Sequence, residues 1–424
     1  MVASLIRLTG DWDLAEDCVQ DAVEKALVRW PREGAPRSPA AWITTAARNR
    51  ALDVLRRRRT ERAKLQQHAI EEELGRRGAD AAGDPAAAPA SPSRSDDRLR
   101  LIFTCSHPAL ALEGRVALTL KTVAGLGTAE IARAFLVSEP TMSQRLLRTR
   151  RKIANAAIPY RVPPPELLAE RTEGVLIVLY LIFNEGYGRR EDFLAMEALR
   201  LARLLADLMP DEDEARGLLA LICLQLSRRA TRFDERGDIV PMEEQDRSQW
   251  DGALIAEGLR HLRGAARSGR PAGPYRLQAR IAACHATAPA ADATDWSAIV
   301  RLYDALLFAQ PSPVIALNHA IAVGFRDGGE AGLIALDALD PGALAGYHLL
   351  PAARADVLRR LGRDDDARRA YAAALALAPG EPERRLIHRR LAELEERGRA
   401  AVSNRGRVGR RVGGGLSGIP WNDG

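Results

Sequence analysis

The chain has 424 residues, which is too long for one ordinary hydrophobic core, so we expect two to four domains. Hydrophobic residues make up 46% of the sequence and aromatic residues only 5%, which disfavours β-rich folds and favours helices packed through Ala and Leu. The formal net charge of +6 is too mild to establish a nucleic-acid partner, so the distribution of the basic residues matters more than their sum.

The first predicted domain spans residues 1–62. It begins with an amphipathic helical stretch over residues 5–30, and a turn-rich loop over residues 31–39 follows. The apolar positions of the stretch include Leu14, Cys18, Ala22 and Leu27. A second helix then leads into a basic cluster, because residues 48–64 hold eight Arg or Lys against two acidic residues. This cluster suits phosphate neutralisation, and it equally suits a solvated face beside a linker.

A linker and a second domain come next. Residues 63–95 are rich in Gly, Ala, Pro and Ser, which predicts a flexible linker. In the second domain, residues 96–158, a short helix after Gly127 and a longer helix after Ser138 form a pair. Helical spacing predicts that the longer helix buries Met142, Leu146, Thr149 and Ile153.

The other face of the longer helix suits duplex DNA. A slim, uncharged N-terminal end can enter the major groove, Gln and Arg can donate to base edges, and later basic residues can meet phosphates. Spacing alone supports this interpretation and an ordinary helical hairpin with a solvated basic face about equally. The residues on this face are Thr141, Gln144, Arg145, Arg148, Arg151 and Lys152.

Two segments resemble a known family. GDWDLAEDCVQDAVEKAL, followed by AWITTAARNRALDVLRRRR, resembles the second conserved region of extracytoplasmic-function sigma factors, the promoter-recognition subunits of bacterial RNA polymerase. EGRVALTLKTVAGLGTAEIARAFLVSEPTMSQRLLRTRRKI resembles their fourth region, and the order and spacing also match. The chain starts almost at the GDWDLAED segment, so part of the usual first helix is absent, and we expect either a misassigned start codon or a truncated chain.

The resemblance implies a role for each surface. Four residues would bind the clamp helices of the largest polymerase subunit: Asp17, Gln20, Asp21 and Glu24. The −10 promoter element would be read and melted by the segment with Trp42, Arg48, Asn49, Asp53 and Arg56, while the loop at residues 32–40 holds an extruded base. The −35 element would be read by Thr141, Gln144, Arg145 and Arg148.

A helical extension is predicted over residues 165–397, and a disordered Gly/Arg-rich tail is predicted over residues 398–424. The run GVLIVLYLIFNEGYGRR resembles a subgroup of these sigma factors with a tetratricopeptide-like extension, whose members are thought to lack a conventional anti-sigma partner. Repeat-like positions are Gly362, Ala367, Tyr371, Ala374 and Pro379, with a less regular start at Trp296, Ile299 and Tyr303. Stacked helix pairs of this kind leave a concave binding surface.

The segment FNEGY within the extension has two interpretations. Gly186 can end an apolar helix while Tyr187 packs against it. Alternatively, Asn184, Glu185 and Tyr187 form a regulatory surface that contacts the sigma domains of the same chain. A polar stretch either belongs to that surface or is a salt-bridged loop, and it contains Arg232, Asp246, Arg247 and Trp250.

Motifs of other function classes are sparse. The seven histidines lack metal-binding spacing, the four cysteines form no C-x-x-C pair, and no G-x-x-x-x-G-K-[ST] phosphate loop occurs. We therefore expect no enzyme, no cofactor and no metal site. With no signal-peptide pattern, and an apolar run at residues 175–183 about half as long as a membrane span, we expect a cytoplasmic protein without a membrane partner.

The sequence thus predicts an all-α sigma factor, with two small helical sigma domains joined by a flexible linker and followed by a helical-repeat domain. Its predicted partners are core RNA polymerase and promoter DNA. The main alternative is a one-component helix-turn-helix transcription regulator with a helical sensor, which would bind duplex DNA alone. A third interpretation is a helical-repeat scaffold whose basic helices are merely solvated.

Overall fold

The computed structural model describes residues 2–73, 94–135, 137–187, 193–266 and 271–412. These residues form helices and connecting loops without a β-strand, and an isolated bridge pairs Phe233 with Ile239. The predicted all-α fold is therefore confirmed. Most of the predicted linker, residues 74–93, and the end of the predicted tail, residues 413–424, lie outside the described residues.

The chain divides into two compact units. The first comprises residues 1–186 and 193–209, and the second comprises residues 187–192 and 210–424. The helices of the first unit, which holds all of α8 except Tyr187, are α1 (Val2–Thr9), α2 (Trp12–Glu33), α3 (Pro39–Glu73), α4 (Arg94–Cys105), α5 (Leu112–Thr119), α6 (Thr128–Ala134), α7 (Glu139–Asn155), α8 (Pro165–Tyr187) and α9 (Phe193–Leu208). A π-helical segment, Leu120–Ala124, follows α5.

The predicted stretch over residues 5–30 is two helices rather than one. Gly10 adopts a left-handed φ of 66°, which ends α1, and the Asp11 carboxylate then caps α2 by accepting from the Leu14 N–H at 3.1 Å. At its other end α2 includes Pro31 and stops at Glu33, so the predicted loop is shorter than residues 31–39.

Helix α3 is longer than the sequence predicts. It continues to Glu73, well into the stretch we expect to be a flexible linker. The physical reason is that residues 63–73, AKLQQHAIEEE, are mostly strong helix formers, and the first glycine comes only at Gly75. Composition averaged over residues 63–95 hides this change from helix formers to Gly and Pro.

The helix pair α6 and α7 forms as the spacing predicts. The Glu130 carboxylate accepts from the Gly127 N–H at 2.6 Å, and Ser138 caps α7. The predicted inward residues of α7 are confirmed, because Met142, Leu146, Thr149 and Ile153 are all buried. The connection between the two helices includes Leu136, which lies outside the described residues.

Helices α8 and α9 pack with the first unit. Arg171 on α8 donates to the Phe103 carbonyl oxygen on α4 at 2.7 Å, and α9 also contacts α4. The first compact unit therefore extends past Pro165, the residue at which we expect the extension to begin. Gly186 lies inside α8, where a methyl group would come within 2.8 Å of the Leu194 carbonyl carbon and closer still to the Ala195 nitrogen. Close helix approach, rather than a helix stop, explains this glycine.

The substitution Gly186→Ala is expected to destabilise the first unit by about 1–3 kcal/mol, because the added methyl group overlaps backbone atoms that cannot move aside. The matched control is Gly174→Ala on the same helix, where the methyl group would meet only the Ser106 carbonyl oxygen at 3.5 Å. That change should stabilise by up to about 1 kcal/mol through helix propensity. Thermal unfolding followed by circular dichroism tests the pair, and equal melting temperatures would contradict the close approach.

The second unit is built from helices that pack mainly on their neighbours in the chain. They are α10 (Asp213–Leu226), α11 (Gly252–Ala266), α12 (Pro274–Thr287), α13 (Trp296–Ala309), α14 (Pro313–Asp327), α15 (Gly329–Asp337), α16 (Leu349–Arg360), α17 (Asp364–Leu377) and α18 (Glu381–Val412). Ala367, Tyr371 and Ala374 are buried, and the Tyr371 hydroxyl donates to Asp356 at 2.8 Å. Helix α18 continues into residues that we expect to be disordered.

Three properties of the described residues bear on function. The cysteines are free, and Cys18, Cys105 and Cys223 are buried. No group of three or more metal-ligating side chains comes together in the described part of the chain. Within the same residues, no helix combines the length and the apolarity needed to cross a bilayer.

Candidate protein and nucleic-acid interfaces

Helix α2 exposes an acidic face. Asp17, Gln20 and Glu24 are exposed, while Asp21 is half-buried and its Oδ2 accepts from Arg50 Nε of α3 at 2.8 Å. The structure therefore places all four predicted polymerase-binding residues on one helix, at spacings of three and four that align them on one face. The opposite face packs into the core through Leu14, Ala15, Cys18, Ala22 and Ala26.

An apolar patch adjoins the acidic face, and sequence reasoning missed it. Val23, Leu27 and Val28 are 38%, 69% and 63% exposed. Leu27 follows Leu14 by thirteen residues, so at about 100° per residue it points away from the buried face, and Ala26 takes the inward position. Exposed apolar side chains grouped beside charges mark a surface that binds another protein.

A cleft of about 620 Å³ lies beside this patch. Its lining includes Glu24 and Val28 from α2 and Trp42 and Arg50 from α3. Trp42 meets Trp30 edge to face, with ring centroids 5.7 Å apart. The cleft thus joins the acidic face of α2 to the start of α3, and it offers an aromatic side chain to an incoming group.

Helix α3 presents polar residues opposite its core face. Arg48, Asn49, Asp53 and Arg56 are exposed, and Trp42 is half-buried. The separation of seven residues from Trp42 to Asn49, then four to Asp53 and three to Arg56, keeps these side chains on one stripe. Ala47 and Ala51 are fully buried on the other side. The stripe therefore combines hydrogen-bonding side chains with an aromatic residue at one end.

Helix α7 exposes the predicted DNA-reading residues. Thr141, Gln144 and Arg148 are exposed and Arg145 is half-buried. The Thr141 hydroxyl lies 2.7 Å from the Ser138 hydroxyl at the helix start, and Arg148 Nε donates to the Gln144 carbonyl oxygen at 3.3 Å. The two terminal nitrogens of Arg148 make no hydrogen bond to any described residue, so they remain available to a ligand.

Arg150 links α7 to α2, a contact that the sequence did not predict. Its Nη1 lies 2.5 Å from Asp13 Oδ1 and its Nη2 lies 2.6 Å from Glu16 Oε1. Burial opposes the charge, but Glu16 and Asp13 raise the pKa of Arg150 above its usual value, so the guanidinium stays protonated. Arg150 points away from Arg148, so the ion pairs leave the exposed face of α7 uncovered.

The substitution Arg150→Ala should loosen the contact between α2 and α7, because Glu16 would lose its partner in a half-buried position. We expect a loss of about 1–3 kcal/mol, the typical cost of leaving a buried hydrogen-bonding group without its partner. The control is Arg151→Ala, since Arg151 is exposed and forms no ion pair with a described residue. Hydrogen exchange of the α2 and α7 amides measures the effect, and equal exchange rates in the two variants would refute it.

The predicted regulatory residues fall in different surroundings. Asn184 is exposed and Glu185 is half-buried. The Tyr187 hydroxyl donates to Gln225 Oε1 at 2.9 Å, while the Arg232 guanidinium stacks on its ring at 3.6 Å and also donates to its carbonyl oxygen. Tyr187 thus joins the polar stretch at Arg232, whereas Arg247 contacts Trp250 at 4.8 Å.

Comparison with known proteins identifies two segments. Residues 1–61 match the family described as Sigma-70 region 2. Residues 171–266 match a family of unknown function (DUF6596). An uncharacterized protein of Rhizobium meliloti (strain 1021) is 43% identical over 400 residues, which cover 93% of each chain.

The matched segment of Sigma-70 region 2 contains α1, α2 and most of α3, the helices that carry the acidic face, the apolar patch and the polar stripe. The relationship to the Rhizobium meliloti protein spans both compact units. Residues 1–61 are therefore a Sigma-70 region 2, which implies interaction with core RNA polymerase and promoter DNA, and the chain belongs to one family with the uncharacterized Rhizobium meliloti protein.

Proposed function

We propose that this chain is a sigma factor of the extracytoplasmic-function type, which binds core RNA polymerase and directs it to specific promoters. The match of residues 1–61 to Sigma-70 region 2 carries the proposal. Two exposed helical surfaces add support, namely the apolar patch on α2 inside the matched segment and the polar face of α7 outside it. The action is one of recognition, without a catalysed reaction.

Each surface takes one task in this proposal. The acidic face and apolar patch of α2 bind the clamp helices of the largest polymerase subunit, where charge steers the encounter and apolar burial holds the complex. The stripe on α3 reads the −10 element through Trp42, Arg48, Asn49, Asp53 and Arg56. Thr141, Gln144, Arg145 and Arg148 on α7 form a helix-turn-helix reading surface for the −35 element.

The second unit is proposed to be a tetratricopeptide-like regulatory extension. Helices that pack on their chain neighbours, with Ala367, Tyr371 and Ala374 buried between them, support this assignment. Regulation would run through Asn184, Glu185 and Tyr187. Deletion after Met209 tests it better than deletion at Pro165, which would also remove Arg171 and α9 from the first unit. Unchanged promoter output after that deletion would count against regulation.

The test of the main proposal is assembly with core polymerase. The full-length chain should co-elute with core enzyme on gel filtration, and the complex should protect a promoter fragment that the chain alone does not protect. A chain that binds duplex DNA alone and never associates with core enzyme would instead be a one-component regulator. A chain that binds neither would be a repeat scaffold.

A further inference from the structure

A cavity of about 550 Å³ lies within the second unit. Its walls come from α12, α13, α14, the connection at residues 291–294 and the segment at residues 242–247. This volume falls in the range of about 300–1,000 Å³ that small-molecule sites occupy. The proposed function assigns no role to this cavity. A ligand site there therefore does not depend on that function.

One side of the cavity is aromatic and rigid. Trp296 stacks on Phe325, with centroids 4.2 Å apart and planes 6° from parallel, and His285 meets Trp296 edge to face at 5.3 Å. Ile299 and Ala322, which are 0% and 1% exposed, complete the apolar part of the lining. A flat or compact apolar group would fit this side through dispersion and edge-to-face contacts.

The cavity also holds unused hydrogen-bonding groups. Thr294 is only 7% exposed, and its hydroxyl has no hydrogen-bond partner among the described residues. The side-chain amide of Asn318 is half-buried and likewise makes no hydrogen bond within the described part of the chain. Buried polar groups in folded proteins nearly always have partners, so these two side chains offer hydrogen-bonding capacity to a polar ligand in the cavity.

The charges of the lining favour a cation. Arg247 is already committed, because its Nη1 donates to the carbonyl oxygens of His285 and Ala288 and its guanidinium lies over the Trp250 ring at 4.8 Å. Glu243 and Asp292 are exposed at the cavity; Asp292 interacts electrostatically with Arg247, and neither carboxylate lies within 4.0 Å of a basic nitrogen in the described residues. The lining therefore contains two carboxylates and one guanidinium, so its net charge is negative.

His285 adds no positive charge at neutral pH. Burial, together with the nearby charges of Arg228 and Arg247, lowers the pKa of His285 to about 4. Its neutral imidazole can therefore accept a hydrogen bond as well as pack against Trp296.

The segment that carries Glu243 is anchored by contacts of its neighbours Glu244 and Gln245. Arg390 Nη2 on α18 lies 2.6 Å from Glu244 Oε1, next to Glu243 in the lining. Gln245 Nε2 donates to the Val240 carbonyl oxygen at 2.8 Å, which closes the same segment on itself. A preformed site spares the ligand the entropy of ordering a loop.

We propose that this cavity is a binding site for a small aromatic monoamine. The aromatic group lies against Trp296 and the apolar residues, and the ammonium group lies toward Asp292 and Glu243. The Thr294 hydroxyl and the Asn318 amide complete the polar contacts. Nothing in the tasks assigned to α2, α3 and α7 requires such a ligand.

The test uses the full-length chain and matched probes in isothermal titration calorimetry. Tryptamine, tyramine and phenethylamine are the amines, and indole-3-propionate is a carboxylate with the same ring system as tryptamine. At least one amine should bind in the micromolar to millimolar range and at least about tenfold more tightly than the carboxylate. Absence of amine binding at about 1 mM, or tighter binding of the carboxylate, would overturn the proposal.

Two nearly isosteric variants locate the site. Asp292→Asn and Thr294→Val should each weaken amine binding by about tenfold. Asp292 is exposed, so its variant should fold normally even if Thr294→Val does not. The control is Thr287→Val, an exposed threonine at the end of α12 outside the cavity, which should leave affinity unchanged. Binding that is insensitive to Asp292→Asn would place the amine elsewhere and overturn the assignment.

Discussion

The substitution Leu27→Asn is expected to weaken binding to core RNA polymerase by about 2–3 kcal/mol, or roughly 30- to 150-fold. Leu27 is 69% exposed, so the loss cannot come from the core of the first unit. In the proposed complex this side chain is buried against the polymerase. The variant would lose apolar burial and place an amide in a poorly hydrated position without altering the net charge.

The matched control for this variant is Ile334→Asn on α15. Ile334 is 71% exposed, so the two changes remove similar apolar surface from water-facing positions. Fluorescence anisotropy of the labelled chain titrated with core enzyme gives both affinities. Equal affinities of the two variants would show that the apolar patch on α2 is not the polymerase contact.

The substitution Arg148→Ala is expected to weaken recognition of a −35 element by about 1–3 kcal/mol and to relax sequence preference at one position. The reason is that the terminal nitrogens of Arg148 are exposed and unpaired among the described residues, at the spacing from Thr141 and Gln144 that a major-groove helix uses. Binding of the polymerase complex to promoters mutated base by base in the −35 element measures the change.

Arg151→Ala separates base contacts from phosphate contacts. Arg151 is also exposed on α7, and a phosphate role predicts a similar loss on every promoter, with a salt dependence smaller by about one ion. If Arg148→Ala behaves in the same uniform way, Arg148 contacts phosphate rather than a base. If neither change affects promoter binding, α7 is not the reading helix.

Local sequence patterns predict those structural elements that depend on interactions between residues close together in the chain. The inward face of α7 follows from helical spacing, and its start follows from the Ser138 cap. The buried faces of α2 and α3 are harder to predict from the sequence. Alanine occupies their core positions, and the larger apolar residue Leu27 looks like a core residue although it is exposed. Once Gly10 breaks the helix, the orientation of α2 shows that Leu27 faces outward.

Contacts between residues that are far apart in the chain cannot be predicted from such local patterns. Nothing near Arg150 in the sequence indicates that Asp13 and Glu16, more than 130 residues away, would pair with it. From the sequence Gly186 can end a helix, because its close neighbours on α9 are not visible there. Thr294 lies in the connection between α12 and α13 and Asn318 lies in α14, so only the folded second unit brings them to one cavity.

The most direct measurement is transcription of the encoding organism's genomic DNA by core RNA polymerase, with and without the full-length chain, followed by sequencing of transcript 5′ ends. We predict a limited set of start sites that require the chain and share upstream elements near −10 and −35, and Leu27→Asn should reduce transcription from them at limiting protein concentration. No new start sites, with DNA binding by the chain alone, would contradict its assignment as a sigma factor.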